Sequence, residues 1–405
     1  MKNVTVGPFL GINNRVPDTE LADVERGRKV GDYLRNAVNV DITNSGTIRR
    51  RQGTELAQAG TSCHSLWGDD SNGYYVDGTT LYQFPRISIK TGLIPDNRVA
   101  FTKINNTVVW TDGTVLEKIV GTTSTRLGLV PPNPVPIVSA AQGGSLPAGV
   151  YQIAFTRVSA TGEESGSTWP VQITVPENGA ISISDVTESV YIYLSAPNGD
   201  LLFLYGPTSV DTIVPVTPDT GGVQLDTFGL VPMVGGHIVG YSENRLLVAN
   251  GSTLYYSEPF SPALHNPARG YIPFPSRITI MLPCGDGVFV VADKTYYIAG
   301  ADIDDSQVQE LVPYGAVEGS GAYVENSENV WWFSDRGIVV GTPDGNIQNI
   351  QEGNIAVGSA NFGASIYKEF DGVQQMVSSL FDSEVSQAAA GSFMEAELIR
   401  KESML

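Results

Sequence analysis

Seven segments of this chain share one plan: a short run of β-forming residues, a turn built mostly on Asn, Asp or Gly, and a second β-rich run. The clearest copies are residues 74–82 turning at Asp77-Gly78, 108–116 turning at Asp112-Gly113, and 246–256 turning at Asn250-Gly251. Looser copies occupy 288–297, turning at Asp293-Lys294, and 330–340, turning at Asp335-Arg336-Gly337. The weakest surround Asn44-Ser45-Gly46 and Asp371-Gly372. Asn-Gly and Asp-Gly between β-rich flanks are strong hairpin signals, because both central residues of a type I′ turn need positive φ. The turns are spaced 35 residues apart from Asp77 to Asp112, 43 from Asn250 to Asp293, and 42 from Asp293 to Asp335. That period suits one four-stranded blade of a β-propeller, in which each blade buries its neighbour's face. The expected fold class is therefore all-β, a propeller of five to seven blades.

The repeat is interrupted. Residues 130–136 read Val-Pro-Pro-Asn-Pro-Val-Pro, and prolines cannot donate to a ladder, so they mark a stiff extended linker. Beyond it, residues 148–158 alternate as one long strand, 160–166 turn, and 171–175 return, with three further strands at 180–184, 190–194 and 201–205. These strands lack blade-type hairpins and read as an inserted β-sandwich of the immunoglobulin or fibronectin type III sort. Four regions follow: residues 1–130, the first part of the propeller with an N-terminal arm; 131–230, the sandwich; 231–378, the second part of the propeller; and 379–405, a C-terminal arm. The charged stretch 20–29 is expected as a short helix or loop, and residues 384–400 are rich in helix formers.

With 405 residues, 41% of them hydrophobic and 17% charged, the chain has ample means to bury a core and is no candidate for general disorder. No run of eighteen apolar residues occurs, and residues 1–8 lack the apolar block of a signal peptide, so a cytoplasmic origin without secretion is expected. Cys63 and Cys284 match no metal spacing and are expected as reduced, buried thiols. A net charge of -19 argues against a surface that grips nucleic acid, since phosphate binding needs clustered Lys and Arg. It is compatible with a duplex passing an acidic wall without sticking.

Chemistry is sparse. His64, His237 and His265 fit no catalytic or metal pattern, and no Gly-x-Ser-x-Gly elbow occurs; Gly319-Ser320-Gly321 reads as a flexible turn. Asp302, Asp304 and Asp305 cluster without the ladder of a calcium loop and read as a solvated turn. No catalytic residue, cofactor or metal ligand is assigned. Trp331 and Trp332 lie on opposite faces of one strand; core packing is the simpler reading, and an exposed ring would offer a stacking face for glycan. The basic triplet Arg49-Arg50-Arg51 stands out in an acidic chain, with Arg49 and Arg51 on one face and Arg50 on the other, and suits an orienting role at a subunit interface. Phe393, Met394 and Leu398 are the matching candidates in the C-terminal arm.

The text Phe9-Leu10-Gly11-Ile12-Asn13-Asn14-Arg15, with Leu34-Arg35-Asn36-Ala37-Val38-Asn39-Val40-Asp41 and Gly46-Thr47-Ile48-Arg49-Arg50-Arg51-Gln52-Gly53, resembles a family of tailed-bacteriophage virion proteins. Its nearest functional members are the tail hub or nozzle proteins, also called packaged-DNA stabilisation proteins. The resemblance covers about fifty residues. It implies a non-enzymatic subunit of a ring, expected to be sixfold, around the DNA exit channel. The implied partners are other copies of the chain, an adaptor and fibres, with DNA passing nearby unbound and no membrane insertion. The alternative is a baseplate, fibre-anchoring or receptor-binding propeller that recognises host surface glycan.

Overall fold

The computed structural model describes residues 7–397, apart from 26–27, 44, 52, 54, 70, 301–302, 304–306, 325–326, 356–359, 371–372 and 382–393. Strands dominate, and the only helical element among the described residues is a single 3-10 turn at Asp18–Glu20. The chain divides into two compact units: one holds residues 62–250 and 254–272, and the other holds 1–61, 251–253 and 273–405.

The first of these units carries three blade-like sheets. Sheet one runs Cys63–Gly68, Gly73–Asp77, Thr80–Gln83, Ile87–Thr91; sheet two runs Ala100–Ile104, Thr107–Thr111, Leu116–Val120, Thr123–Arg126. Sheet three takes Ile238–Ser242, Arg245–Asn250, Thr253–Tyr256 and Tyr271–Pro273. Each is ordered as a meander, strand beside next strand, and the hairpin read from sequence is its central pair. In sheet one Asp77 pairs Thr80, so the turn is Gly78-Thr79, with Gly78 at φ +64° where a side chain would be strained. In sheet two the loop is longer: Thr111 pairs Leu116, and Asp112 Oδ1 accepts bonds from the amides of Thr114 and Val115 at 2.9 and 3.0 Å. That Asx turn replaces the two-residue turn expected at Asp112-Gly113.

The sheets pack face to face because each strand alternates apolar residues toward both neighbours. Tyr74, Val76 and Leu81 of sheet one meet Phe101, Val108 and Trp110 of sheet two. Ile104, Val109 and Leu116 of sheet two meet Val239, Leu246 and Val248 of sheet three. Sheets two and three are thus adjacent in space although about a hundred residues separate them in sequence. Gly128 and Met233, which lie at the two ends of that intervening segment, converge on Ala263. The Met233 amide donates to Ala263 O at 2.9 Å, and a Cβ on Gly128 would stand 2.7 Å from the same oxygen.

The intervening segment forms two sheets. One has the order Ile137–Leu146, Gly179–Ser184, Thr212–Val214. The other centres on Gly149–Val158, flanked by Glu164–Ser167 and Val171–Val175 on one side and by Val190–Ser195 and then Leu202–Thr208 on the other. Leu146, Ile181, Ile183 and Val214 of the first meet Tyr151, Ile153, Phe155, Ile192 and Leu194 of the second in one buried core. The outer face of the larger sheet is covered in turn: Leu225 packs on Ala154, Tyr193 and Leu202, and the Leu225 amide donates to Leu202 O at 2.9 Å. A salt bridge from Lys118 of sheet two to Glu163 at 2.7 Å ties the module to its neighbouring blade.

The second unit holds sheet four (Ile280–Cys284, Gly287–Val291, Thr295–Ile298, Val308–Val312) and sheet five (Ala322–Tyr323, Val330–Ser334, Gly337–Gly341, Ile347–Asn349). Sheet six has three strands, Phe362–Phe370, Val373–Phe381 and Met394–Glu397. Sheet five is covered on both faces. Trp332 and Val339 face Phe289 and Ile280 of sheet four, while Trp331, Phe333 and Val340 face Met376 and Leu380 of sheet six.

Several expectations are corrected here. The charged stretch 20–29 is neither helix nor plain loop: Ala22–Glu25 and Arg28–Leu34 are paired strands, and Phe9–Ile12 lies parallel beside the second. Met394–Glu397 is a strand despite its helix formers, because pairing with residues 377–380 supplies the ladder that propensity alone does not. Gly319-Ser320-Gly321 is no flexible turn. Ser320 is fully buried, and its hydroxyl donates to Val317 O at 2.7 Å and accepts from the Phe333 amide at 3.0 Å. The turn Asp371-Gly372 and the cluster Asp302, Asp304 and Asp305 lie outside the described residues.

Candidate functional site

Arg49 sits directly opposite Asp41 in the hairpin of Val40–Ile42 and Ile48–Arg50. Arg49 Nε and Arg51 Nε reach the two oxygens of the buried Asp41 carboxylate at 3.6 and 3.5 Å. Alternation therefore places Arg49 and Arg51 on one face, as read from sequence, and both engage Asp41 within the chain. Arg49 and Arg50 are both exposed, and Arg51 is half-buried. Phe393 and Leu398 lie outside the described residues, and Met394 opens the edge strand of sheet six.

Trp331 and Trp332 are both 0% exposed. Neither can stack on a glycan, which corrects that candidate site: sheet five is sandwiched between two other sheets, so consecutive side chains pointing to opposite faces are both enclosed. Both indole Nε1 atoms lack a hydrogen-bond partner, and the rings serve packing alone.

Several buried ionisable groups are matched to structural partners. Glu117 accepts from Lys90 Nζ at 2.7 Å and from Ser124 Oγ at 2.6 Å, and Ser124 Oγ in turn accepts from Trp110 Nε1 at 2.7 Å. Asp77 pairs Arg86 at 3.0 Å, and that guanidinium lies over the Tyr82 ring. Glu164 accepts from Tyr193 Oη at 2.9 Å; burial, and then the adjacent carboxylate, hold the phenol well above its ordinary range. His64 and His265 are pushed below the usual imidazole value by burial. His64 Nδ1 bonds Ser65 Oγ at 2.8 Å, and His265 meets the Tyr255 ring edge-on. Among the described residues, no group of three His, Cys, Asp or Glu converges as a metal site. Cys284 is buried as expected, but Cys63 is exposed.

The surface feature that sequence reading missed is Trp169. It is 79% exposed, and Phe228, 46% exposed, stands against it with ring centroids 5.2 Å apart and planes at 88°. Two segments are pinned together to make the pair. The Thr168 amide donates to Phe155 O at 2.8 Å while Thr168 Oγ1 accepts from the Phe155 amide at 3.0 Å, and the Ser167 amide donates to Thr227 O at 3.2 Å. Gly166 is needed for this approach, since a Cβ there would fall 1.9 Å from Leu230 O. Nothing in the sequence separates this tryptophan from a core one.

No family model and no curated protein matches the chain. Among solved structures, it is similar to the extracellular domain of a hybrid two-component system from B. thetaiotaomicron, at 9% identity and TM-score 0.32, over 80% of this chain and 40% of that one. It is also similar to YCF48 from Cyanidioschyzon merolae (10% identity, TM-score 0.29, 79% and 92% covered). A third likeness is to the computationally designed Ika8 protein (11%, TM-score 0.26, 79% and 93%). The chain spans less than half of the first of these. All three likenesses are distant, and the architecture rests on the order and packing of the sheets themselves.

Proposed function

We propose that the chain is a non-enzymatic structural protein of a bacteriophage tail, a propeller subunit of a hub or nozzle ring around the DNA exit channel. The observation that carries this reading is the N-terminal text that resembles tail propeller proteins, joined to a body of small face-packed meander sheets interrupted by one two-sheet module. Such a body is a rigid support that displays loops. The module's larger sheet has the neighbour order of the C′-C-F-G sheet of immunoglobulin-type sandwiches, with Gly149–Val158 as C and Val190–Ser195 as F. Its smaller sheet departs from that pattern, because Thr212–Val214 takes a place beside Gly179–Ser184. In a ring, the exposed Arg49 and Arg50 are basic side chains placed to meet a neighbouring acidic surface, and the excess of acid lets a duplex slide past.

The test is to locate the chain in purified virions by imaging, together with native mass spectrometry of the isolated chain and of its mixture with the adaptor. A ring in the tail is the expected result. Absence from the virion, or hydrolysis of bacterial polysaccharide by the pure chain, overturns the proposal. A glycan-recognising role is the second reading, and the exposed Trp169–Phe228 pair is the observation that favours it.

A further inference from the structure

We infer that the Trp169–Phe228 pair is a carbohydrate-binding platform on the inserted module, built for a neutral sugar ring. The site does not rest on the tail assignment and does not use the sequence-stated candidates Trp331 and Trp332.

Three features lead to it. First, the chain's five tryptophans are treated very differently: Trp110, Trp331 and Trp332 are fully enclosed and Trp67 is half-buried against Tyr74 and Phe101, whereas the Trp169 ring lies in water. Exposing an indole forfeits the burial that drives every other one inside, and an exposed large apolar group is the informative kind of exception. Second, the backbone that carries the ring is anchored. It is fixed through the paired bonds of Thr168 with Phe155, Pro170 restricts the backbone of Trp169 before it, and the perpendicular Phe228 stands against the indole. A platform fixed before binding loses little freedom when a ligand arrives.

Third, polar and acidic residues lie close to the pair along the chain, together with the exposed Val171 and Val223. Asp226 and Gln224 are exposed on the strand-like segment that leads to Phe228, and Ser167 is half-buried beside Trp169. An indole face is the negative pole of a quadrupole and attracts the weakly positive C–H face of a pyranose. The Asp226 carboxylate, two residues from Phe228 in the chain, can accept hydroxyl hydrogens. The same carboxylate, in a chain of net charge -19, repels sialylated, uronic or phosphorylated sugars.

The test uses the full chain labelled with 5-fluorotryptophan, whose five signals separate the indoles, with Trp169 assigned through Trp169→Phe. Cellohexaose and maltohexaose are the probes, alongside an array of neutral and acidic glycans. The Trp169 signal is expected to shift alone, and Trp169→Ala is expected to lower retention of neutral glycans by about ten-fold or more. Phe228→Ala should lower it less, and Trp169→Phe should keep part of it. Because both rings lie outside the core, an unchanged melting temperature shows that these variants fold. The inference is overturned if the array retains no neutral glycan, or if retention survives Trp169→Ala. It is equally overturned if tetramethylammonium shifts Trp169 while the sugars do not, which marks a cation site. Loss of self-association in Trp169→Ala without glycan retention by the parent chain overturns it too, since the pair is then a protein anchor.

Discussion

The two cysteines occupy opposite environments, and their chemistry should separate accordingly. Burial, followed by the nearby Glu328 and Asp344 charges, pushes the Cys284 thiol up to about 11 from an ordinary 9.0, and its Sγ donates to Glu328 O at 3.0 Å. Cys63 is exposed. A thiol reagent at pH 8 should label Cys63 in the native chain and reach Cys284 only after denaturation, which mass spectrometry of the labelled peptides reads directly. The folded chain binds the Cys284 proton more tightly than the unfolded chain does. Its contribution to stability is therefore complete below pH 9 and is lost as pH rises through about 11. Denaturant midpoints measured across that window should fall more steeply for the parent chain than for Cys284→Ala. Residue type alone gave both cysteines the same reading. Exposure is decided by which strand position a cysteine takes: Cys63 begins an edge strand, and Cys284 ends one packed beneath sheet five.

At the scale of elements, the turn chemistry was legible and the edges were not. Gly78, Gly251 and Gly337 all take positive φ at the turns marked from sequence, because few other residues enter that region without strain. Residues 137–146 escaped notice because Ala140, Ala141, Gly143 and Gly144 carry little β signal; their pairing partner, Gly179–Ser184, makes the strand. The charges in 20–29 hid a second hairpin in the same way. Trp169 was illegible as a site for the opposite reason: tryptophan is read as core unless a structure shows it outside. Close backbone approach was also invisible. Gly236 has no positive φ, yet a Cβ there would stand 2.3 Å from Ala249 O, at the point where Thr111 Oγ1 donates to Gly236 O at 2.7 Å to staple sheet two to sheet three. Gly236→Ala should cost about 1–3 kcal/mol. Gly53→Ala, where nothing lies within 4 Å, serves as the near-neutral control in the same thermal melt.

At the scale of the molecule, the way the chain connects sheet two to sheet three was not legible in the sequence. Gly128 and Met233 meet at Ala263, so the polypeptide leaves and rejoins the blade stack at one point. The core between sheets two and three draws no residue from 131–230. Replacing residues 131–230 with a short Gly-Ser linker should therefore leave sheets two and three packed. The shortened chain should stay soluble, and hydrogen exchange should show Val109 and Val248 as slow as in the parent. Rapid exchange at both positions would mean that the module supports the blades and is not merely carried by them. The Lys118–Glu163 bridge is about one-quarter exposed at each end, and its loss is expected to contribute at most about 1 kcal/mol.

Sheet five carries its heaviest rings, Trp331 and Trp332, on opposite sides of a single strand. Were that strand to fray, two cavities would open at once, one toward each adjoining layer, and neither layer could keep its own contacts. The middle sheet thus acts as a keystone for its unit, which should melt in one step from sheet four through sheet six, with no stable half-unfolded form available to proteases or to misassembly.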